Sequence, residues 1–268
     1  MIIYFAGAEQ NHHCLKLQEA NVRNILCSYY HDSFRNHQAK PSRKFKRVFL
    51  DSGAFSSYTK NTVIDIDNYI RYIKDNDDNL ELYSCLDVIG DWKATLKNQK
   101  HMEKNKLNPL WCFHFSARQT EPYSLLEDMI QKYDYIALGG MATRDVSKKA
   151  LKRHLDKCFN IISKYLPKKI HGFGLTAVEL LLRYPFYSSD STAWLAGEKQ
   201  GTCYKFTNGR MKSYSSRSKE DMLSLNRSDF TDIDQKNYRN RSINNAKEFL
   251  KAQEFITDVW QKRGITFA

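Results

Sequence analysis

Short apolar or aromatic runs, each bounded by Gly, Asp, Asn or Pro, recur along almost the whole chain. They fall at 2–7, 25–30, 47–52, 82–88, 110–116, 135–140, 169–174 and 186–190. Their length and composition predict buried strands. Between them the apolar positions move to helical spacing. Asp65 to Asp75 carries Ile66, Tyr69, Ile70 and Ile73, and Glu121 to Tyr133 carries Leu125, Leu126, Met129 and Ile130. Val146 to Leu166 carries Leu151, Leu155, Phe159, Ile162 and Leu166. Trp92 to Lys104 and the short Ala177 to Tyr184 follow the same pattern less regularly. The segment 9–24 has room for a helix, and 31–46 reads as a basic loop. A polar stretch, 196–238, reads as a loop or small insertion over one end of the fold, and Ile243 to Gln261 as a closing helix.

Eight strands joined by helical crossovers predict an α/β fold, a single (β/α)8 TIM-type barrel over residues 1–268. An open doubly wound sheet is the alternative, but no Gly-rich dinucleotide fingerprint follows any strand. No repeat or linker divides the chain, so one domain is expected.

Composition narrows the partners. Lys and Arg number 42 against 30 Asp and Glu, a net charge of +12. The basic residues cluster from Arg35 to Arg47, from Lys148 to Lys169, and from Lys199 to Arg217, the last interleaved with Tyr204, Phe206 and Tyr214. Cations mixed with aromatic rings suit phosphates and unstacked bases, so nucleic acid is the expected partner. The six cysteines form no closely spaced pair, so neither a disulfide framework nor a zinc knuckle is expected. In His12-His13-Cys14, adjacent side chains point apart, which argues against shared ligation. No apolar run is long enough to span a bilayer, and the first residues read as a strand, so a cytoplasmic protein without membrane contact is expected.

In a parallel barrel, functional side chains gather at the carboxyl ends of the strands. Those ends are Asp51-Ser52-Gly53-Ala54-Phe55, Cys85-Leu86-Asp87, Phe113-His114-Phe115, Leu138-Gly139-Gly140-Met141, His171-Gly172-Phe173-Gly174 and Ser189-Asp190-Ser191-Thr192. Three carboxylates and two imidazoles would converge on one mouth. Two of the carboxylates, Asp51 and Asp190, suit a nucleophile and an acid/base pair. Phe55 and His171 offer ring faces for stacking, and the Gly pair exposes backbone N–H groups to a flat ligand. Asp87 can accept two hydrogen bonds from a guanine-like edge, and His114 can donate to its carbonyl.

These strand ends resemble the tRNA-guanine transglycosylase superfamily, and more closely its DNA-modifying branch, the DpdA-type 7-deazaguanine transglycosylases of phages and bacteria. Asp51 to Phe55 is similar to Asp-Ser-Gly-Gly-Phe of that family, and Gly139-Gly140-Met141-Ala142 to its Gly-Gly-Leu-Ala turn. His171 to Gly174 stands where the family has Met-Gly-Val-Gly, and Asp190 where it has its nucleophilic aspartate. The resemblance implies that Asp190 attacks the sugar and Asp51 serves as general acid/base. It implies that Phe55, Asp87, His114, Gly139, Gly140, His171 and Gly172 bind the base, with Phe55 and His171 sandwiching it. It further implies guanine-containing DNA and a free 7-deazaguanine such as preQ0 as substrates, no cofactor, and room for a delivery protein. The cysteine cluster that binds zinc in the tRNA enzymes is missing after strand eight, where only Cys203 falls, so no metal is expected. A tRNA-directed transglycosylase, a base-hydrolysing N-glycosidase, a non-catalytic nucleic-acid-binding partner subunit and an unrelated barrel enzyme remain the alternatives.

Overall fold

The computed structural model describes residues 1–32, 45–115, 121–141, 147–226 and 238–266. Eight strands form one parallel sheet: β1 (Ile2–Ala6), β2 (Asn24–Ser28), β3 (Arg47–Asp51), β4 (Leu82–Tyr83), β5 (Trp111–His114), β6 (Tyr135–Gly139), β7 (Lys169–Gly172) and β8 (Ser188–Ser191). Their order is β4-β3-β2-β1-β8-β7-β6-β5. Strands β4 and β5 meet through a parallel bridge between Ser84 and Leu110. There Leu110 N–H donates to the Tyr83 carbonyl at 2.8 Å, and Cys85 N–H to the Leu110 carbonyl at 3.0 Å. The expected (β/α)8-type barrel is therefore the fold.

The helices alternate with the strands. In order they are α1 (Asn11–Glu19), α2 (Tyr29–Asp32), α3 (Ala54–Thr59), α4 (Ile66–Asp75), α5 (Trp92–Lys104), α6 (Tyr123–Lys132), α7 (Lys148–Ile162) and α8 (Val178–Arg183). After β8 come α9 (Ala196–Lys199), an antiparallel hairpin of β9 (Thr202–Thr207) and β10 (Arg210–Ser215), α10 (Lys219–Asn226) and α11 (Tyr238–Lys262). Helix α11 packs against α1, α8 and β1. It is tied to β1 by Gln253 Oε1, which accepts from Ile3 N–H at 2.7 Å. Among the described residues no helix is long and apolar enough to cross a membrane.

Strand pleat decides what fills the ring. Alternate residues face opposite sides. Tyr4, Ala6, Leu26, Phe49, Leu110, Cys112 and Ala137 cluster inside the barrel. Their neighbours, such as Ile3, Phe5, Ile25 and Val48, pack outward under the helices. Carrying the inward set one step further reaches Ser28, Asp51, His114 and Gly139 at the carboxyl rim. Register aligns Ser28 with Asp51, His114 with Gly139, and Tyr4 with Asp190.

Three expectations change. Strand β4 is only two residues long, so Cys85-Leu86-Asp87 is a loop beyond the bridge rather than strand. Side chains of α5 hold that loop in place of strand pairing. Thr95 Oγ1 accepts from Val88 N–H at 2.9 Å, and Asn98 Nδ2 donates to the Leu86 carbonyl at 2.8 Å. Next, much of the polar stretch after β8 is regular structure, and its hairpin packs on α11 and α8. One face of the hairpin is apolar: Tyr204 packs on Phe249 and Phe206 on Phe255 of α11. Its turn at Gly209 sits against Phe255 and Leu182. The many cations hid this period-two pattern in the sequence. Finally, the closing helix begins earlier, at Tyr238. Most of the basic stretch 35–47, and residues 227–237 of the polar stretch, lie outside the described residues.

Candidate active site at the barrel mouth

Asp51 is the last residue of β3 and turns inward. Its Oδ2 accepts from Gly53 N–H at 3.0 Å, and the Ser84 hydroxyl lies 3.5 Å from Oδ1. Gly53 must be glycine: its φ is +78°, and a Cβ there would lie 2.3 Å from Tyr30 Cβ. The chain therefore folds back tightly and aims its N–H at the carboxylate. Burial, and then the charges of Asp190 and Asp87, push the Asp51 carboxyl up to about 7 from an ordinary 3.8. Asp51 is thus a buried carboxyl that feels the charges of both Asp190 and Asp87.

Asp190 sits on β8 and is 8% exposed. Its Oδ1 accepts from Gly174 N–H at 2.7 Å and lies 3.3 Å from His171 Nε2. Gly174 has a φ of +64°, in the left-handed region that favours glycine. Both neighbours bind the same oxygen, which leaves Oδ2 free of partners among the described residues.

Asp87 and His114 form the third group. His114 Nε2 lies 3.1 Å from Asp87 Oδ2, and His114 Nδ1 lies 3.2 Å from Glu121 Oε1. The other Glu121 oxygen accepts from the His114 backbone N–H at 3.1 Å. Burial opposes a charge on this ring, but the Cys112 sulfur and the Asp87 carboxylate outweigh it and hold His114 well above its ordinary value. Burial itself pushes the Cys112 thiol up to about 12, so that sulfur is neutral near pH 7 and Asp87 is the anion that matters. The ring lies between the Asp87 and Glu121 carboxylates, which favour its charged form. Asp87 Oδ1 is buried without a hydrogen-bond partner among the described residues. An orphaned carboxylate oxygen at a mouth is a place for a ligand's N–H group.

The remaining expected residues divide. Gly139 lies on the inner face beside His114, and a Cβ there would fall 2.5 Å from Cys112 Sγ. Gly140, at φ +73°, lets the Phe115 carbonyl approach to where a Cβ would be only 2.0 Å away. Phe55 stands 60% exposed at the start of α3, four residues after Asp51. His171 and Gly172 do not line the mouth. The His171 ring is fully buried and edge-on to Tyr4, Phe49 and Phe173. Both its nitrogens face side-chain oxygens, and its complete burial leaves no face for a base to stack on. Gly172 points outward, where a Cβ would meet Phe186 and Leu175. Just past β7 the ring nearer the mouth is Phe173, half-buried and tilted against Phe49. Its place two residues beyond an inward His171 was a signal available in the sequence. Glu121 carried none, because it stands in the stretch read as a helix.

Two groups of described residues have donor atoms close enough to share a metal: Asp87, Cys112 and His114; and His12, His13 and Glu198. In the first, both ring nitrogens of His114 already face carboxylates. In the second, Lys16 is ion-paired to Glu198, and His13 Nδ1 lies 2.9 Å from the Gly7 carbonyl. Adjacent His12 and His13 nevertheless converge, with rings 4.1 Å apart, against the expectation that they diverge. The polar network explains the first group without an ion, and the ammonium disfavours one in the second.

The fold and site define an α/β barrel with a carboxylate cluster at the carboxyl ends of its strands. No family model matches the chain, and no curated protein matches it in sequence.

Proposed function

We propose that the protein is a DNA-guanine transglycosylase that exchanges guanine for a 7-deazaguanine base through a covalent glycosyl-aspartate. The observation that carries this reading is the split between two carboxylates at one mouth. Asp51 is held near neutrality, while Asp190 accepts two hydrogen bonds on one oxygen and presents the other.

The steps follow from that split. Asp190 Oδ2 attacks C1′ of the target nucleotide. The C1′–N9 bond breaks, its electron pair goes to the base, and protonated Asp51 donates its proton to the departing guanine. The incoming base gives its N9 proton to ionised Asp51 and attacks C1′, which releases Asp190. A group with a pKa near the working pH serves both halves of such a cycle. Retaining glycosidases use the same double displacement, with carboxylates about 5 Å apart. Asp87 Oδ1 would accept from the amide or amine of a guanine-like edge, while His114 holds the other oxygen of that carboxylate. Phe55 is free to fold over the base, and Phe173 offers the opposing ring.

The target base must leave the helix to reach this mouth, at a cost of a few kcal/mol. Arg47 begins β3 at the far end and pairs with Glu81. Lys148 and Lys149, in the first turn of α7, are on the mouth side, because in a parallel barrel the helix after β6 starts from the carboxyl ends of the strands. The net charge of +12 supports a polyanionic substrate without locating its path.

Nucleoside mass spectrometry after incubation of DNA with the protein and free preQ0 tests the reading. The deazaguanine nucleoside should appear in DNA. Its appearance in tRNA alone moves the substrate to tRNA, and abasic sites formed without added base mark a hydrolase.

A further inference from the structure

Behind Asp190 runs a line of polar side chains through an otherwise apolar barrel interior. Tyr135 Oη lies 2.5 Å from Ser188 Oγ, Ser188 Oγ lies 2.6 Å from His171 Nδ1, and His171 Nε2 lies 3.3 Å from Asp190 Oδ1. The residues come from three neighbouring strands, β6, β7 and β8, and register places His171 beside Ser188. The line begins at the half-buried Tyr135, and both Ser188 and His171 are fully buried. We propose that Tyr135, Ser188 and His171 are positioning residues, a one-way hydrogen-bond chain that fixes the Asp190 carboxylate with Oδ2 free to attack. This rests on Asp190 being the nucleophile.

The direction follows from donor and acceptor capacity. A carboxylate only accepts, so the proton between His171 and Asp190 belongs to Nε2. In the Nε2–H tautomer Nδ1 is an acceptor, and the Ser188 hydroxyl hydrogen points at it. Toward Tyr135 the Ser188 oxygen then accepts, and the phenol donates. Burial keeps that phenol far above its ordinary value, so it stays a donor at working pH. Every group has one role, and reversing any member breaks the bond beyond it. The end of the chain and the Gly174 N–H converge on Oδ1. Rotation of the carboxylate is thereby stopped, and Oδ2 is the oxygen left to face the sugar.

A core histidine that is merely satisfied would have the same neighbours, so the test needs a readout that packing does not move. The measurement is the single-turnover rate of covalent adduct formation with guanine-containing DNA, compared with DNA affinity. His171→Met keeps the volume and loses the donor. It should slow adduct formation by ~10- to 100-fold with affinity unchanged, the scale of one charge-assisted hydrogen bond. His171→Gln, which retains an N–H donor, should recover most of that loss. Tyr135→Phe, the mildest change, should slow the step by ~3- to 10-fold. The 15N spectrum of the wild-type His171 ring should show the Nε2–H tautomer. A wild-type rate in His171→Met or Tyr135→Phe, or a glutamine variant no faster than the methionine one, overturns the chain. So does an Nδ1–H or doubly protonated ring. If the wild type itself forms no adduct, the base-exchange reading fails, and the tautomer alone then decides the direction of the chain.

Discussion

Replacing Asp51 by asparagine should make the protein more stable at pH 8 while removing its activity. The native carboxyl sits near 7 instead of 3.8, a rise of about 3. At about 1.36 kcal/mol for each tenfold change in proton affinity, ionising Asp51 in the native state costs roughly 4 kcal/mol. The sign follows from proton counts. Below about pH 4 both native and unfolded chains hold the proton, and the group contributes nothing. Between about 4 and 7 the native state keeps a proton that the unfolded chain has lost, so stability falls as pH rises. Above 7 the full penalty is present. The side-chain amide introduced by Asp51→Asn can still accept from Gly53 N–H through its oxygen and is never charged. Urea denaturation of both proteins at pH 4 and pH 8 measures the effect. The two should be nearly equal at pH 4, and the variant should exceed the wild type by up to about 4 kcal/mol at pH 8. If the variant is the less stable protein at pH 8, or if the gap is the same at both pH values, the electrostatic account of the site is wrong.

Other predictions concern the same mouth. Asp190→Ala and Asp190→Asn should both abolish base exchange, measured as release of labelled guanine from DNA, and an unchanged rate in either removes Asp190 from the mechanism. His114 should remain an imidazolium at pH 7.5, visible in its ring 15N shifts, and become neutral there in Asp87→Asn; a neutral wild-type ring contradicts the proposed pairing. Asp87→Asn should also weaken binding of a free deazaguanine base by at least ~10-fold, because an amide presents one acceptor where the carboxylate presents two. Gly140→Ala should lower stability by more than about 1 kcal/mol, since it adds left-handed strain to a clash with the Phe115 carbonyl. Equal melting of the two proteins contradicts that placement.

The barrel was legible because its signal is repeated. Eight apolar runs and the helical spacing between them agree on one architecture, and an error in one run, such as the overlong β4, does not disturb the rest. The positions of Asp51, Asp87, His114 and Asp190 were legible for a related reason: each closes a run, and strand ends in a parallel barrel point to one place. What the ends do not reveal is direction. His171 and Gly172 are neighbours, and strand pleat sends one into the sealed interior and the other outward. Neither could be told from a rim residue without knowing where the strand stops. Glu121 was invisible because it opens the stretch read as a helix, and no periodicity encodes its bond to His114. The hairpin of β9 and β10 was masked by its cations, which swamp the apolar alternation of Tyr204, Phe206 and Met211.

The claim on which the account rests is that one oxygen of Asp190 bonds to the sugar. Denaturing the protein during turnover with guanine-containing DNA, then digesting and mapping the adduct by mass spectrometry, tests it most directly. A glycosyl ester on the peptide containing Asp190 is predicted. Base exchange that proceeds with no adduct, or with one on another residue, contradicts it.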